Sequence, residues 1–221
     1  MHPAVGLVLA YLLGSIPAAH LAGKARGVDL RLHGSGNLGA TNAWRVLGWK
    51  IGLAVYLFDT LKGFVPAFFF PRWFLLQGVA GGLRGMLDPQ SVELWAIAYG
   101  VAAIAGHVKP LWLRGQGGGK GVATAGGVFL GLAPMALLAS IVVFALVLLG
   151  TGYVSLGSMI AAIVLPIALF FTRGVESPLF AVSVLLAAFV FFTHRANIGR
   201  LRRGEESRFG RRATGAGGEP R

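Results

Sequence analysis

Apolar residues dominate the chain in runs long enough to cross a membrane, and short glycine-rich or basic segments separate these runs. The apolar runs cover residues 4–22, 51–70, 92–105, 122–149, 154–171 and 179–192. A membrane-spanning helix needs about 17–25 mostly apolar residues. Because lipid offers the backbone no hydrogen-bond partner, such runs must form helices. The pattern therefore predicts an all-α, polytopic integral membrane protein.

The composition agrees with a membrane location. Hydrophobic residues make up 55% of the 221 residues and charged residues only 13%, whereas a soluble domain has about 25% charged residues. The chain contains no cysteine, which excludes disulfide and thiolate chemistry. No basic segment precedes the first apolar run, so we expect a retained helix, with cleavage as a signal peptide as the alternative.

The apolar run at residues 122–149 is too long for a single crossing. It contains Gly131-Leu-Ala-Pro134 near its middle, and a proline interrupts the interior of a helix. We therefore expect a break that divides the run into residues 121–130 and 134–149. The first piece is short, so it either crosses or folds back against the protein. If residues 121–130 cross the membrane, the chain has about seven transmembrane helices, some of them short. If they do not cross, it has five or six.

Basic residues predict the orientation of these spans. The net charge is +12, and basic residues collect at residues 24–50, at residues 109–120 and from residue 195 onward. Basic loops stay on the cytoplasmic side of a membrane, which predicts an outside N-terminus and a cytoplasmic C-terminus. Because these segments are short and lie between apolar runs, we expect contact with membrane lipid and no binding of nucleic acid. Residues 1–206 are assigned to one transmembrane domain and residues 207–221 to a disordered basic tail.

The first polar segment reads HGSGNLGATNAWR, from His33 to Arg45. Its glycines predict a turn, because glycine tolerates backbone conformations that other residues avoid. A short helix at residues 43–46 should follow, with Thr41 or Asn42 as its N-cap.

The second polar segment reads GHVKPLWLRGQGGGKGVAT and covers residues 106–124. The glycines around Lys120 can turn several backbone N–H groups toward one anion, and Gly121 opens a helix whose N-terminus favours the same anion. A Walker A loop is excluded, because Arg114 and Gly121 stand where that loop needs Gly and Ser or Thr. A flexible connector is the alternative to an anion site.

The third polar segment, THRANIGRLRRGEE, covers residues 193–206. On a helix, His194, Asn197 and Leu201 share one face. Two further charged residues, Asp59 and Lys62, lie inside the second apolar run. Their spacing allows a self-neutralising pair, and an ionisable residue within a membrane also suggests function, so both roles are open.

Several classes of enzyme are excluded by missing motifs. The chain has no Gly-x-Ser-x-Gly nucleophile elbow, and no histidine is followed by aspartate five positions later. The basic loops also lack the clustered carboxylates that a magnesium–diphosphate site needs.

With these motifs in order, the chain resembles the bacterial acyl-phosphate:glycerol-3-phosphate acyltransferases, the PlsY family. The resemblance is carried by Gly14-Ser-Ile-Pro17, Gly34 to Asn42 with Arg45, Asp59 with Lys62-Gly63, Gly106-His107 with Pro110, Gly118 to Thr124, and His194 to Leu201 with Gly204 and Glu206. The second motif departs from the family pattern, because Arg114 to Gly119 is one residue longer and Lys109 replaces an apolar residue.

The resemblance implies a seven-helix acyltransferase in the bacterial inner membrane, with its active site facing the cytoplasm. It implies transfer of a fatty acyl group from acyl phosphate to the 1-hydroxyl of sn-glycerol 3-phosphate, giving lysophosphatidate and phosphate for phospholipid biosynthesis. No cofactor and no metal are implied, and a monomer is expected. A transporter or channel for a phosphorylated solute is the alternative, disfavoured because Arg173 and Glu176 are the only charged residues between Gly121 and Thr193.

The same resemblance predicts the site residues. The expected catalytic residues are Ser35, Arg45, Lys120, His194 and Asn197. The expected substrate- and phosphate-binding residues are Asn37, Thr41, Asn42, His107, Gly117, Gly118, Gly119, Gly121, Ser158 and Arg200. Ser35, Arg45 and Lys120 should bind phosphate, and the hydroxyl proton goes either to His194 or to a substrate phosphate oxygen.

Overall fold

The computed structural model describes residues 2–80 and 89–210, with residues 74–80 and 89 described by their backbone only. These ranges contain α-helices and no β-strand. The helices are α1 Pro3–Gly14, α2 Ala18–Lys24, α3 Ala40–Leu47, α4 Trp49–Ala80, α5 Pro89–Val108, α6 Val122–Leu132, α7 Pro134–Thr151, α8 Val154–Arg173, α9 Pro178–Thr193 and α10 Arg195–Arg202, with a 3-10 turn at Leu111–Leu113. The expected all-α class is confirmed.

The long apolar helices make the chain a multi-pass membrane protein. Five described segments are long and apolar enough to cross a bilayer: Pro3–Lys24, Trp49–Trp73, Gln90–Leu113, Pro134–Thr151 and Val154–Arg173. A sixth candidate joins α9 and α10 across a bend of 57°, and α6 is a shorter apolar helix. The count of seven spans and the orientation of the termini remain predictions. Residues 81–88 and 211–221 lie outside the described residues.

The break expected in the long apolar run is confirmed. Helix α6 ends at Leu132 and α7 begins at Pro134, with Ala133 between them in a non-helical conformation (φ −150°, ψ 66°). Proline fits the first position of a helix, because the N–H that it lacks would have no partner there. A second break was not expected from the hydropathy: α1 ends at Gly14, and Pro17 stands immediately before α2.

Glycines allow close contact between the central helices. A Cβ atom on Gly63 of α4 would overlap the backbone carbonyl of Thr124, and one on Gly127 of α6 would overlap that of Thr60. Small residues at such crossings let helix backbones approach closely in a membrane. Helix α6 is therefore held tightly against α4, which places its N-terminus beside the polar segments.

A hydrophobic cluster fixes the first polar segment to the helices. Leu30 and Leu38, on either side of the glycine-rich turn, are buried with Ala19, Ala43 and Val55. Burying such side chains removes apolar surface from water and stabilises the loop by about 1.5–3 kcal/mol for each large residue. The polar residues between Leu30 and Leu38 are thereby held at the edge of the bundle.

Candidate active site

The three polar segments meet around one cavity of about 400 Å³. Most of the residues predicted for the site line it. They are Ser35, Asn37, Thr41, Asn42, Arg45, His107, Lys120, Gly121, Ser158, His194 and Asn197. Segments that are far apart in the chain thus contribute to a single site.

Three helices begin at this cavity. Its lining includes the first residues of α3, α6 and α8, among them Ala40, Val122 and Val154. None of these three N-termini has a side-chain cap. The first N–H groups of a helix lack partners within the helix, and the helix dipole places partial positive charge there. The cavity is therefore suited to bind anions, and phosphate in particular.

Arg45, on α3, brings a full positive charge to the cavity. Its Nη2 donates a hydrogen bond to the carbonyl oxygen of Ser207 at 3.1 Å. Its Nε is buried and has no hydrogen-bond partner among the described residues. Burial lowers the pKa of the Arg45 guanidinium, although an arginine still stays charged at neutral pH. Among the described residues, Arg45 therefore makes a single hydrogen bond, and its other N–H groups are left for a ligand.

Lys120 supplies the second cation. Its Nζ donates a hydrogen bond to Oδ1 of Asn197. Burial lowers the pKa of Lys120 to about 8, and the nearby carboxylate of Glu206 acts in the opposite direction. Lys120 is thus charged at neutral pH but close to its titration range.

Glu206 organises the third segment. Its Oε1 accepts hydrogen bonds from Ser155 Oγ at 2.7 Å and from Asn197 Nδ2 at 2.6 Å. Its Oε2 pairs with Arg200 Nε at 2.7 Å. Burial alone would raise the pKa of Glu206, but these three donors outweigh it and hold the pKa below its usual value. The amide of Asn197 is thereby oriented with its oxygen toward Lys120.

Glu206 and Ser155 line the cavity but were missing from the predicted site residues. The sequence carried a signal for each. Glu206 belongs to the motif that begins at His194, and Ser155 precedes Ser158 by three positions, which places both serines on one helix face.

His194 lies at the end of α9 and is buried against the cavity. Its Nδ1 is 2.8 Å from the carbonyl oxygen of Val190. Because a carbonyl only accepts hydrogen bonds, the proton of the neutral ring is on Nδ1 and the lone pair on Nε2. His194 therefore has the tautomer that a base acting through Nε2 would need.

Asn42 has a different place from the one expected. Its Oδ1 accepts the N–H of Ser35 at 2.9 Å, and its Nδ2 donates to the carbonyls of Leu30 at 3.1 Å and His33 at 3.0 Å. Its donors are both used within the loop, so Asn42 holds Ser35 at the cavity. The expected N-cap at Thr41 or Asn42 is wrong: α3 begins at Ala40 with Gly39 as its cap, because the Asn42 amide is engaged with the loop instead.

Part of the glycine-rich loop lies behind the cavity. Gly117, Gly118 and Gly119 are not among its lining residues. A Cβ atom on Gly118 would overlap the carbonyl of Val108, and one on Gly119 would overlap the imidazole of His107. These two glycines allow the loop to pack on the end of α5, and Gly121 is the loop glycine that reaches the cavity. Arg200 also lies outside the lining, in its ion pair with Glu206.

A buried charged cluster underlies the same loop. Lys62 Nζ is 2.7 Å from Asp59 Oδ1 and donates to the carbonyl of Ile16 at 3.0 Å. Asp59 Oδ1 is 3.5 Å from His107 Nδ1, and both Asp59 and His107 line the cavity. The expected Asp59–Lys62 pair is thus present, and it borders the site as well.

The cavity also has large apolar lining residues. It is lined by Leu53 and Tyr56 of α4, Phe144 and Leu148 of α7, and the aromatic rings of Trp44 and Phe209. The cavity can therefore accept a molecule with an anionic head and a hydrocarbon tail. Among the described residues, no group of three or more His, Asp or Glu side chains could hold a metal ion.

Comparison with known proteins agrees with this geometry. The family model described as glycerol-3-phosphate acyltransferase matches residues 4–204. The chain belongs to this family. A glycerol-3-phosphate acyltransferase of Geotalea daltonii is 44% identical over 207 residues, which is 93% of this chain and 96% of the relative. That of Geobacter sulfurreducens is 45% identical over 203 residues, or 91% of this chain and 94% of the relative.

Solved structures of PlsY, an integral membrane glycerol 3-phosphate acyltransferase, are also similar. Its glycerol 3-phosphate form has a TM-score of 0.79 and 38% identity, covering 94% of this chain and 96% of that one. Its lysophosphatidic acid form has a TM-score of 0.75 and 36% identity, covering 94% and 95%. The resemblance to the PlsY family is confirmed, and the chain is an acyltransferase of phospholipid biosynthesis.

Proposed function

We propose that this acyltransferase moves a fatty acyl group from acyl phosphate to the 1-hydroxyl of sn-glycerol 3-phosphate, releasing lysophosphatidate and inorganic phosphate. One observation carries the proposal: a single cavity is lined by three uncapped helix N-termini, by two cations and by several large apolar side chains. Both substrates carry phosphate, and only the donor carries a long hydrocarbon chain. The cavity has the chemistry that both require.

The polar groups of the cavity provide enough donors for two phosphates. Ser35 lies in the loop before α3 and Arg45 in the last turn of that helix, while Lys120 and Gly121 immediately precede α6. We assign one phosphate to each of these pairs, with Asn37, Thr41 and Ser158 orienting the bound groups. Charge-assisted hydrogen bonds of this kind are about twice as strong as neutral ones.

The reaction needs no covalent intermediate. An acyl phosphate is a mixed anhydride, and its carbonyl carbon is already activated. The glycerol O1 attacks that carbon, the bond between the carbon and the phosphate oxygen breaks, and phosphate leaves with the electron pair. The hydroxyl proton passes to His194 Nε2 or to a phosphate oxygen. Negative charge develops on the carbonyl and phosphate oxygens during the reaction, and fixed positive groups near them lower the activation free energy. Holding the two substrates together in the reactive orientation lowers it further.

We place the site at the cytoplasmic face of a bacterial inner membrane. The basic residues of all three polar segments support this side, because basic loops stay in the cytoplasm. The water-soluble substrate then reaches the polar groups of the cavity from solution, and the donor tail packs on its apolar side chains from the bilayer. We also propose that the protein acts as a monomer, since the described residues of a single chain suffice to line the cavity.

Phosphate release tests the proposal. Purified protein in detergent or lipid mesophase is given palmitoyl phosphate with and without glycerol 3-phosphate. We expect release that depends on both substrates, and loss of it in Ser35→Ala and Arg45→Ala. Arg26→Ala is the matched control, because this arginine is exposed and does not line the cavity.

Two results would contradict the proposal. Folded wild-type protein that uses palmitoyl-CoA but not palmitoyl phosphate would refute the donor. Full activity in both the Ser35 and the Arg45 variants would refute the site.

A further inference from the structure

Residues 205–210 form an ordered segment at the end of the described chain, here called the C-terminal strap. It follows α10 and lies beyond residue 204, where the match to the family ends. The sequence predicts a disordered tail over residues 207–221, and in its described part Ser207, Arg208 and Phe209 contact the bundle. A backbone carbonyl, an arginine side chain and one aromatic ring make these contacts, and such groups leave no periodic pattern in the sequence.

The strap is attached to the turn between α7 and α8. The N–H of Phe209 donates to the carbonyl oxygen of Gly152 at 2.7 Å. Arg208 Nε donates to Tyr153 Oη at 3.3 Å, and the guanidinium lies 5.3 Å from the centre of the Tyr153 ring. Gly152 has a φ of 78°, a conformation that glycine adopts without strain, and the side chain of Arg208 packs on it.

The strap also reaches α3 on the other side of the cavity. The Phe209 ring lies 5.1 Å from that of Trp44, and both rings line the cavity. Ser207 accepts the hydrogen bond from Arg45 Nη2 through its backbone carbonyl. The strap therefore contacts both Trp44 and Arg45, and Arg45 is the residue proposed to bind phosphate.

From these contacts we infer that the C-terminal strap positions Arg45 for phosphate, resting on the proposed function of the cavity. An arginine side chain has many rotamers, and fixing one of them costs free energy on binding. The Ser207 carbonyl holds one end of the guanidinium in place before substrate arrives, while Nε stays without a protein partner. The strap itself is a positioning element, and Arg45 makes the contact with substrate.

Truncation separates the strap from the residues beyond it. A chain that ends at residue 206 keeps Glu206 and its ion pair but lacks the carbonyl of Ser207 and the Phe209 ring. A chain that ends at residue 210 keeps the whole strap and serves as the matched control. We expect the shorter chain to bind glycerol 3-phosphate about tenfold more weakly, because it loses a hydrogen bond that holds a charged group, and the control to bind as the full chain does.

Binding of glycerol 3-phosphate is measured by calorimetry on detergent-purified protein, without any acyl donor. If the full chain does not bind it, the proposed function fails. If the full chain binds and the chain ending at residue 206 binds equally well, the inference fails. The two failures are therefore distinct.

Point variants keep the test valid if the shorter chain does not fold. Phe209→Ala removes the ring from Trp44, and Phe209→Tyr keeps it. We expect a weaker affinity and a higher KM for glycerol 3-phosphate in the alanine variant, with rescue in the tyrosine variant. A purely structural role would lower the thermal unfolding midpoint but leave the KM of the folded protein unchanged, and that result would overturn the inference.

A double-mutant cycle shows whether the strap acts through Arg45. Phe209→Ala is combined with Arg45→Lys, which keeps a cation but has a different donor geometry. If the strap works through Arg45, the second substitution adds little to the first. If the loss of affinity in the double variant equals the product of the losses in the two single variants, the strap and Arg45 act independently, and the inference is overturned.

Discussion

Two glycine-rich loops border the cavity, and they are held in different ways. The loop before α3 is held by one side chain: the Asn42 amide makes three hydrogen bonds, to Leu30, His33 and Ser35. The loop before α6 is held by missing side chains: Gly118 and Gly119 sit directly against the backbone and ring of the α5 end. The two loops therefore have a similar composition but are stabilised differently. The loop before α3 is sensitive to the loss of a polar side chain, and the loop before α6 is sensitive to the gain of a methyl group.

The largest effect is expected from Gly118→Ala. The new Cβ would overlap the carbonyl of Val108, which cannot move without shifting the end of α5. We expect a loss in kcat/KM of about 100-fold or more, since a displacement of about 1 Å near a reacting group has this consequence. Steady-state assays with both substrates measure it. Wild-type kinetics in this variant would show that the loop does not pack on α5 as described.

The second effect concerns the other loop. Asn42→Ala leaves the Ser35 N–H and the carbonyls of His33 and Leu30 without their partner. Because only the bond to Leu30 is buried, we expect the free energy of unfolding to fall by about 1–3 kcal/mol. Activity should fall by about tenfold, because Ser35 loses the bond that holds its backbone. Thermal unfolding in detergent and phosphate-release assays measure the two changes. Loss of activity with unchanged stability would instead indicate that the amide contacts substrate.

The third prediction distinguishes the roles of Lys120 and Arg45 by the pH dependence of the activity. In the proposed site Lys120 binds phosphate only when it is protonated, and burial lowers its pKa to about 8. Therefore kcat/KM should fall as pH rises above about 8, while Arg45 stays charged. The profile should also fall below a pH of about 6, where the substrate phosphate becomes protonated.

The variant Lys120→Arg sharpens the pH test. Arginine stays protonated across the measured pH range. The kcat/KM of the variant should therefore stay constant above pH 8, even if its value is lower than that of the wild type. An unchanged alkaline fall in this variant would assign that fall to another group.

The smallest effect is expected from Gly126→Ala in α6, where no atom lies within 4 Å of the new Cβ. Here we expect unchanged kinetics and a free energy of unfolding that is higher by about 0.5–1 kcal/mol, because alanine favours the helix. It is also the control for Gly118→Ala. A large loss of activity in it would mean that any added methyl group in this region is harmful, whatever its contacts.

The sequence predicted most of the fold through simple periodic features. Long apolar runs predicted helices, and Pro134 predicted the break between α6 and α7. The break before Pro17 was missed, because apolar residues continue on both sides of it and hydropathy does not register a local turn. The family motifs predicted the residues that line the cavity, but not that Gly117, Gly118 and Gly119 lie behind it.

The long apolar runs, together with the low fraction of charged residues, determined that this chain belongs in a membrane, because helices that are apolar over such a length need lipid around them. The polar motifs, which follow one another in a fixed order along the chain, determined the family, because each motif consists of particular residue types at a fixed spacing. Only the tertiary structure decided which groups act on each other: Asn42 on Ser35, Glu206 on Asn197, and Ser207 on Arg45 across 162 positions. Such contacts depend on where helices cross, and no local pattern records a partner that is distant in the chain.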